Sequence, residues 1–455
     1  MIDLHCHSTA SDGAVAPSDL PRLARDMGLS ALALTDHDTT SGLADFLKAS
    51  EQIGFNGIPG VELSVIENNL QCHIIGLYVQ PDCEELQEKL AQIVVWRNER
   101  NLKILDALHG MDVNLTMDDV LACCVDDQII GRPHFAKALV KLGYCNSEEG
   151  AFKKFLRRGA PAYFPRQTLG LKETIDLLHK SCALTFWAHP MTSTKMTNVG
   201  LSKTLDMMKE IGLDGIEAFY PSYTTNQTKT ILRLAKEKDL LISGGTDYHG
   251  GGAHLGVDLG IGYGGDFMIK DDVLDAIQPK RYRPFVFIDR DDTLIYDDKP
   301  YRSDPTGMRL IPGCCEAIRR FWQAGFKVAM VSNQAGIGRG IVSYEQFTIV
   351  QMHLAELLAE GGAGLDAVYY CPHKADDKCR CRKPATGMLE QACTENHVDV
   401  RHSFLIGDAI TDIKMGHDFG LKTVQLIAPG VARDDAHADF TATTLTEAAD
   451  WILSK

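Results

Sequence analysis

Short apolar runs that end in a histidine or a carboxylate recur through the first 250 residues, and this pattern most constrains the fold. Ile2-Asp3-Leu4-His5-Cys6-His7 opens the series, with Asp12 five residues further on. On a strand, residues i and i+2 share a face, so His5 and His7 reach one point in space. Residues 29–34 lead into Thr35-Asp36-His37-Asp38, residues 58–61 into Glu62, and residues 71–78 carry His73. Residues 184–187 run into Ala188-His189-Pro190, residues 215–219 form another run, and residues 240–243 deliver Gly244-Gly245-Thr246-Asp247-Tyr248-His249. Helical patterns lie between these runs. After Pro17-Ser18-Asp19, for example, Leu20, Leu23, Ala24 and Met27 share one face and Gly28 ends the helix. Alternating β and α units with polar strand ends predict an α/β protein, a parallel sheet or barrel with its chemistry at that rim.

The candidates are His5, His7, Asp12, His37, Glu62, His73, His189, Asp247 and His249. A lone histidine such as His73 is more often a satisfied core residue than a ligand. Nine nitrogen and oxygen donors at successive strand ends exceed the needs of one ion and fit two or three divalent metals. Mn²⁺, Fe²⁺ or Zn²⁺ suit such mixed imidazole and carboxylate ligation. Metals so held activate water and clamp a phosphoryl oxygen. His179, His254, Asp36 and Asp38 read as structural or supporting residues.

Residues from about 84 to 160 break the rhythm; they are helical, charged and strandless, which predicts an inserted helical subdomain. Within it Arg97 and Arg100 stand i,i+3 on one helix, either as a phosphate clamp or as a solvated face. A basic, proline-bounded joint at 279–284 places a domain boundary near residue 282, giving units 1–282 and 283–455. Two domains accord with 455 residues, too many for one ordinary core.

The second unit opens with a buried strand, 285–288, that delivers Asp289-Arg290-Asp291-Asp292-Thr293. Two carboxylates two residues apart can divide the work of nucleophile and of general acid and base. Residues 327–331 lead to Ser332-Asn333-Gln334, donors for phosphoryl oxygens, and Lys383 supplies a fixed charge. Residues 404–407 end at Asp408, with Asp412 one turn later, a pair suited to Mg²⁺. Cys371-Pro372-His373 and Cys379-Arg380-Cys381 have the spacing of a closed, structural zinc site, which would order the loop carrying Arg382 and Lys383.

A net charge of −15 argues against broad electrostatic binding to nucleic acid, although bound cations would reverse the field locally. No apolar stretch is long enough to span a bilayer. The His5-Cys6-His7 stretch lies too near the start for a removable signal peptide to precede it. Thirteen cysteines, an odd count, then read as reduced thiols in a cytoplasmic protein.

Over residues 1–280 the chain resembles the PHP (polymerase and histidinol phosphatase) family. The carriers are His5-Cys6-His7, Asp12, residues 35–38, 61–62, 72–73, 188–190 and 246–249, in the family's order. The resemblance implies a distorted (β/α)7 barrel around a multinuclear metal centre, with hydrolysis by metal-activated hydroxide. The helical insertion is similar to that of stand-alone phosphoesterases acting on nucleotides, among them a 5′→3′ exoribonuclease that also dephosphorylates 3′,5′-bisphosphonucleotides. Their phosphate-binding signature matches Gly131-Arg132-Pro133-His134, which implies substrate roles for Arg132 and His134.

Residues 284–455 resemble the HAD phosphatase superfamily through 289–293, 332–333, Lys383 and 407–412. The stretch 331–340 and the Cys/His loop are similar to histidinol-phosphate and D,D-heptose 1,7-bisphosphate phosphatases. The likeness implies a Rossmann-like domain with Asp289 as nucleophile and Asp291 as acid/base. Lys383 would anchor phosphate, Ser332 and Asn333 would bind it, and Asp408 would join Asp289 and Asp291 around Mg²⁺. Asp292 and Ala409 depart from the relatives' usual Gly and Lys or Arg. The expectation is a bifunctional phosphohydrolase acting on a nucleotide or short RNA in the barrel and on a small phosphorylated metabolite in the second unit. Histidinol phosphate or heptose bisphosphate in either domain, and a non-catalytic sensor of phosphorylated ligands, are the alternatives.

Overall fold

A computed structural model describes residues 1–67, 70–123, 130–192, 196–250, 256–427 and 437–455. The chain divides into two compact units, Met1–Arg281 and Tyr282–Lys455. Tyr282 packs its ring edge-on to His397 in the second unit.

The first unit is built on seven strands: β1 Ile2–Cys6, β2 Ala31–Leu34, β3 Asn56–Glu67, β4 Leu70–Leu77, β5 Leu184–Trp187, β6 Gly215–Phe219 and β7 Leu241–Gly244. They pair in sequence order. Backbone bonds from Asp247 N–H to His5 O and from His7 N–H to Tyr248 O, both 2.9 Å, bring the sheet's two ends together as a barrel. The buried Asp3 carboxylate fastens this seam by accepting from the N–H groups of Thr246 and Gly260 at 2.9 and 3.0 Å. Gly245 is required there, because a side chain would run into the His5 backbone.

The sheet is not wholly parallel. β4 runs antiparallel to both β3 and β5, since it follows β3 as a hairpin arm without an intervening helix. Glu62 therefore lies inside a twelve-residue strand and not at a strand's end. His73 lies in the first half of β4, and the reversal of that strand carries it to the rim where the parallel strands finish.

The segment after β4 contains the helices Glu84–His109, Met117–Leu121 and Arg132–Lys141, with no strand among the described residues between 84 and 160. Leu108, Phe135, Leu139 and Leu156 belong to a core of its own. Two short hydrogen-bonded stretches, β8 Val257–Asp258 and β9 Gly262–Tyr263, complete the unit's strands.

The second unit has six parallel strands: β10 Phe285–Ile288, β11 Lys327–Asn333, β12 Ala367–Cys371, β13 Phe404–Gly407, β14 Lys422–Leu426 and β15 Phe440–Ala442. Their order, β12-β11-β10-β13-β14-β15, is Rossmann-like. All of β10 is buried, which explains its uninterrupted apolar sequence. The helix Cys314–Gln323 buries Cys314, Ala317, Ile318 and Phe321, the i, i+3, i+4, i+7 stripe of a helix packed on a sheet.

Both units use one clamp at the strand starts, opposite the candidate chemistry. Asp214 accepts from Thr185 N–H (2.8 Å) and Thr185 Oγ1–H (2.9 Å), and faces His179 Nε2 at 2.8 Å. Asp439 accepts from Thr423 N–H (2.7 Å) and Thr423 Oγ1–H (3.0 Å), and faces His417 Nε2 at 3.3 Å. In each case the histidine ends a helix, the threonine begins a strand, and the aspartate precedes the next strand. No helix among the described residues is long and apolar enough to cross a membrane.

Candidate active sites

Five histidines among the barrel's candidate donors gather around the fully buried Glu62. Oε2 lies 3.5 Å from His5 Nε2, 3.4 Å from His7 Nε2 and 2.8 Å from His37 Nδ1. Oε1 lies 2.9 Å from His73 Nδ1 and 3.1 Å from His189 Nε2. Asp247 Oδ1 stands 3.3 Å from His5 Nε2 and 3.1 Å from His7 Nε2. His7, Asp12, His37 and His249 form an adjoining group. All nine converge.

Donors about 2.0–2.2 Å from one ion stand about 3 to 3.5 Å from each other, and most of these separations fall near that range. The hydrogen bonding supports this fit. Glu62 Oε2, His37 Nδ1 and His7 Nδ1 are buried without a hydrogen-bond partner, although Glu62 Oε2 and His37 Nδ1 lie only 2.8 Å apart. Burial, helped by His249 and His37, pushes His7 down to about 3, which leaves it neutral and able to ligate. Burial acts to raise Glu62, but His37, His73 and His5 outweigh it and hold the carboxylate well below its usual range.

Supporting residues fix these ligands. Asp36 accepts from Ser8 N–H (2.7 Å), Ser8 Oγ–H (2.6 Å) and Ser11 Oγ–H (2.6 Å), which sets the turn after His7. Glu217, at the middle of β6, was not among the sequence candidates. Its Oε1 lies 3.0 Å from His5 Nδ1, and its Oε2 accepts from His189 N–H at 2.6 Å. His189 and Asp247 both occupy the left-handed backbone region, at φ 29° and 55°, so their positions depend on such anchors. Tyr220 Oη–H donates to Asp247 Oδ2 at 2.9 Å. His254 lies outside the described residues.

Beside Asp12 and His37 lies a cleft of about 190 Å³ lined by Arg97, Arg100, Arg132, His134 and Arg166. Arg166, from the loop after the insertion, escaped sequence reasoning because no pattern marks it. Asp38, buried, pairs with both Arg97 and Arg166. Arg100 is 7% exposed, and its Nε has no partner. Burial lowers Arg97, Arg100 and Arg166 to about 10, which leaves them charged at neutral pH. His134 Nδ1 accepts from Gly131 N–H at 3.0 Å, which assigns the ring proton to Nε2. This cleft is built for an anion.

In the second unit Asp289 follows β10 and Lys383 Nζ lies 2.8 Å from its Oδ1 and 2.6 Å from Asp412 Oδ1. Burial opposes the Lys383 charge, but Asp289 and Asp412 outweigh it. Burial raises Asp289 to about 7 against the pull of Lys383, and raises Asp408 to about 6 with Asp289 adding to the effect. A divalent cation would relieve both. Asp412 touches Lys383 and accepts from Ala409 N–H at 3.2 Å, and Gly407 leaves it room. Asp291 is gripped by Arg290 through two 3.0 Å bonds and by Gln334 Nε2 at 3.0 Å, and Gln334 also donates to Ser332 Oγ at 2.8 Å. Asn333 Oδ1 accepts from Lys383 N–H at 3.0 Å.

Asp292 has φ 52°, a left-handed conformation that glycine adopts most readily, and its carboxylate accepts from Asp297 N–H at 2.9 Å. A pocket of about 350 Å³ beside Asp291 is lined by Tyr301, Arg302, Asn333, Arg339 and Arg382. Cys371, His373, Cys379 and Cys381 bring their ligand atoms together, at 3.3 to 3.7 Å between neighbours. The 3.5 Å between sulfurs excludes a disulfide, about 2.05 Å long, and approaches the spacing set by Zn–S bonds of about 2.3 Å.

The PHP domain model matches residues 3–161, and the HAD-hydrolase-like model matches residues 380–451. The chain is 32% identical over 247 residues to a 5′-3′ exoribonuclease of Haemophilus influenzae, covering 54% of this chain and 89% of that protein. It is 30% identical over 251 residues to a 3′,5′-nucleoside bisphosphate phosphatase of Chromobacterium violaceum, covering 55% and 88%. The C-terminal region is 34% identical over 174 residues to D-glycero-beta-D-manno-heptose-1,7-bisphosphate 7-phosphatase of Yersinia pestis, covering 36% and 92%. Among solved structures, one described as a metal-dependent phosphoesterase from Bifidobacterium adolescentis aligns with TM-score 0.52 at 30% identity, covering 61% and 94%. The chain belongs to the PHP family through its first unit and to the HAD-like hydrolases through its second.

Proposed function

We propose that the chain is a bifunctional phosphohydrolase whose units use unrelated mechanisms. For the barrel the carrying observation is nine convergent donors, some buried and unpartnered, next to a cleft of four arginines. Two or three divalent metals, Mn²⁺, Fe²⁺ or Zn²⁺, would be held by His5, His7, Asp12, His37, Glu62, His73, His189, Asp247 and His249. When bound they supply an activated water and positive charge at the phosphoryl oxygens. Arg97, Arg100, Arg132, Arg166 and His134 Nε2–H bind phosphate beside them, and Asp38 aims Arg97 and Arg166. The substrate is a nucleotide carrying two phosphates or a short 5′-phosphorylated RNA, in keeping with the named activities of two relatives.

In the second unit the Asp289 carboxylate attacks phosphorus while Asp291 gives its proton to the departing oxygen. Asp291 then takes a proton from the water that hydrolyses the aspartyl-phosphate. Asp289, Asp291 and Asp408 would hold Mg²⁺, which would supply charge neutralisation, and Lys383, Ser332 and Asn333 hold the phosphoryl group. Cys371, His373, Cys379 and Cys381 would hold zinc, which would order the loop carrying Arg382 at the pocket. The substrate is a small phosphomonoester such as a sugar bisphosphate, with histidinol phosphate as the second choice. The twelve described cysteines are free thiols, in keeping with a cytoplasmic protein.

Phosphate release tests this, with 3′,5′-bisphosphoadenosine, 5′-phosphorylated RNA, heptose 1,7-bisphosphate and histidinol phosphate as substrates. His7→Ala and Asp289→Asn run beside the unaltered protein, with Mn²⁺ and Mg²⁺ each supplied. The expected result is that each substitution abolishes a different activity. An activity that survives both substitutions would overturn the assignment.

A further inference from the structure

The arginine cleft opens beside a run of cations that phosphate capture in the cleft does not use. Residues 131–166 contain eight Lys and Arg, two of which (Arg132 and Arg166) line the cleft, against two Glu, a net of +6 in a chain whose total is −15. Lys153 and Lys154 lie on the exposed side of a single π-helical turn, Phe152–Leu156, whose Phe155 and Leu156 are buried in the subdomain core. Arg157 and Arg158 follow directly and are exposed. This strip is tied to the cleft: Arg132, which lines it, donates from Nη1 to Leu156 O at 3.3 Å.

Some cations elsewhere in the unit are neutralised by a paired carboxylate. Lys89, Lys172, Lys180, Arg233 and Lys238 each stand within 2.8 Å of a carboxylate. Lys153, Lys154, Arg157 and Arg158 pair with no carboxylate among the described residues. Four exposed charges without a carboxylate partner, joined to the anion cleft through the Arg132–Leu156 bond, are the kind of surface that attracts a phosphodiester backbone.

We infer that Lys153, Lys154, Arg157 and Arg158 bind the backbone of a single-stranded nucleic acid whose phosphorylated end occupies the cleft. The inference rests on the barrel's proposed activity on phosphorylated nucleotides and extends it to longer chains. The interactions are electrostatic and ignore base identity, so RNA and DNA of equal length bind alike, while substrates ending within the cleft gain nothing.

The test compares the unaltered protein with K153E/K154E/R157E/R158E. One arm measures kcat/KM on 3′,5′-bisphosphoadenosine and on 5′-phosphorylated RNAs of increasing length. The second measures binding of fluorescent single-stranded RNA and DNA at low and moderate salt, and sedimentation with anionic phospholipid vesicles. The expected result is unchanged bisphosphate hydrolysis, with affinity for long strands reduced about 10-fold or more. The salt dependence of binding should fall by about 0.7 in log–log slope for each phosphate that the variant no longer neutralises. Equal losses on bisphosphate and RNA would mean a structural defect and overturn the inference. So would failure of the unaltered protein to bind RNA at low salt, or vesicle binding that the variant loses while RNA binding stays. RNA binding lost in the variant supports the track even where the unaltered protein cleaves no RNA, in which case the proposed activity fails by itself.

Discussion

The two units face the same electrostatic problem, keeping several carboxylates close together and ready for phosphate, and they solve it with different means. The barrel surrounds Glu62 and Asp247 with imidazoles and leaves buried atoms of His7, His37 and Glu62 without partners. The second unit inserts one permanent cation, Lys383, between Asp289 and Asp412. Under the proposed function the first arrangement would be completed by its metals. The second pairs its carboxylates with a charge of the chain itself, and the proposed magnesium would add to that pairing.

The sharpest way to break this contrast is to remove the lysine. Lys383→Met leaves two buried carboxylates facing each other, and should lower turnover in the second unit about 1000-fold or more while barrel activity is unchanged. Parallel assays of both activities check this; a matching loss in the barrel would show that the units are not independent. Metal removal tests the other side. Chelation should lower the barrel's melting transition more than withdrawal of magnesium alone, which leaves the Cys/His loop loaded, lowers that of Asp289's unit, because ligand binding stabilises by mass action, about 4 kcal/mol at a thousand times Kd. Scanning calorimetry with and without chelator reads the two transitions.

Glu217→Gln sharpens the account of the barrel. It should weaken metal binding about 10- to 100-fold and reduce the metal retained after dialysis, since both His5 and His189 lose a carboxylate anchor. Metal content by mass spectrometry measures this without turnover. Unchanged content would reduce Glu217 to packing.

A pH series sharpens the account of the second unit. Burial raises Asp289 to about 7, so the folded metal-free unit binds more protons than the unfolded chain between about pH 4 and 7. Its stability should therefore fall as pH rises through that window, and magnesium should flatten the fall. Melting temperature against pH, with and without magnesium, checks the sign.

The smallest expected effect concerns what the units share. Thr185→Val and Thr423→Val each remove a hydroxyl from an equivalent clamp and should cost a similar amount, about 1 to 2 kcal/mol. Unequal losses in urea unfolding would show that the resemblance is only geometric.

Much of this architecture was readable in the chain. The strands Leu184–Trp187 and Gly215–Phe219 coincide with apolar runs, and His37, His189, Asp247 and His249 follow the ends of such runs, whereas Glu62 and His73 lie within strands. What escaped depended on contacts distant in sequence. Nothing local announces that β4 turns back, because a hairpin arm and a parallel strand have the same apolar content. Glu217 reads as one polar residue in a buried run until His5, 212 residues away, is seen against it. Arg166 sits in a loop without periodicity, and its partner Asp38 is 128 residues away. The left-handed φ of Asp292, a conformation that aspartate adopts more readily than most side-chain-bearing residues, is not visible in residue identity alone.

The seam that Asp3 makes with Thr246 and Gly260 joins residues 243 and 257 positions apart. During synthesis the ribosome therefore holds the barrel open until about residue 260 has left the exit tunnel. Until then His5 and His7 have neither Asp247 nor His249 beside them. The nascent barrel waits with its first candidate donors made and its last ones untranslated, so under the proposed function metal loading would come late, as the second unit is itself being synthesised. A message cut short before codon 247 would yield a chain with most of the imidazoles and no closed ring to hold an ion.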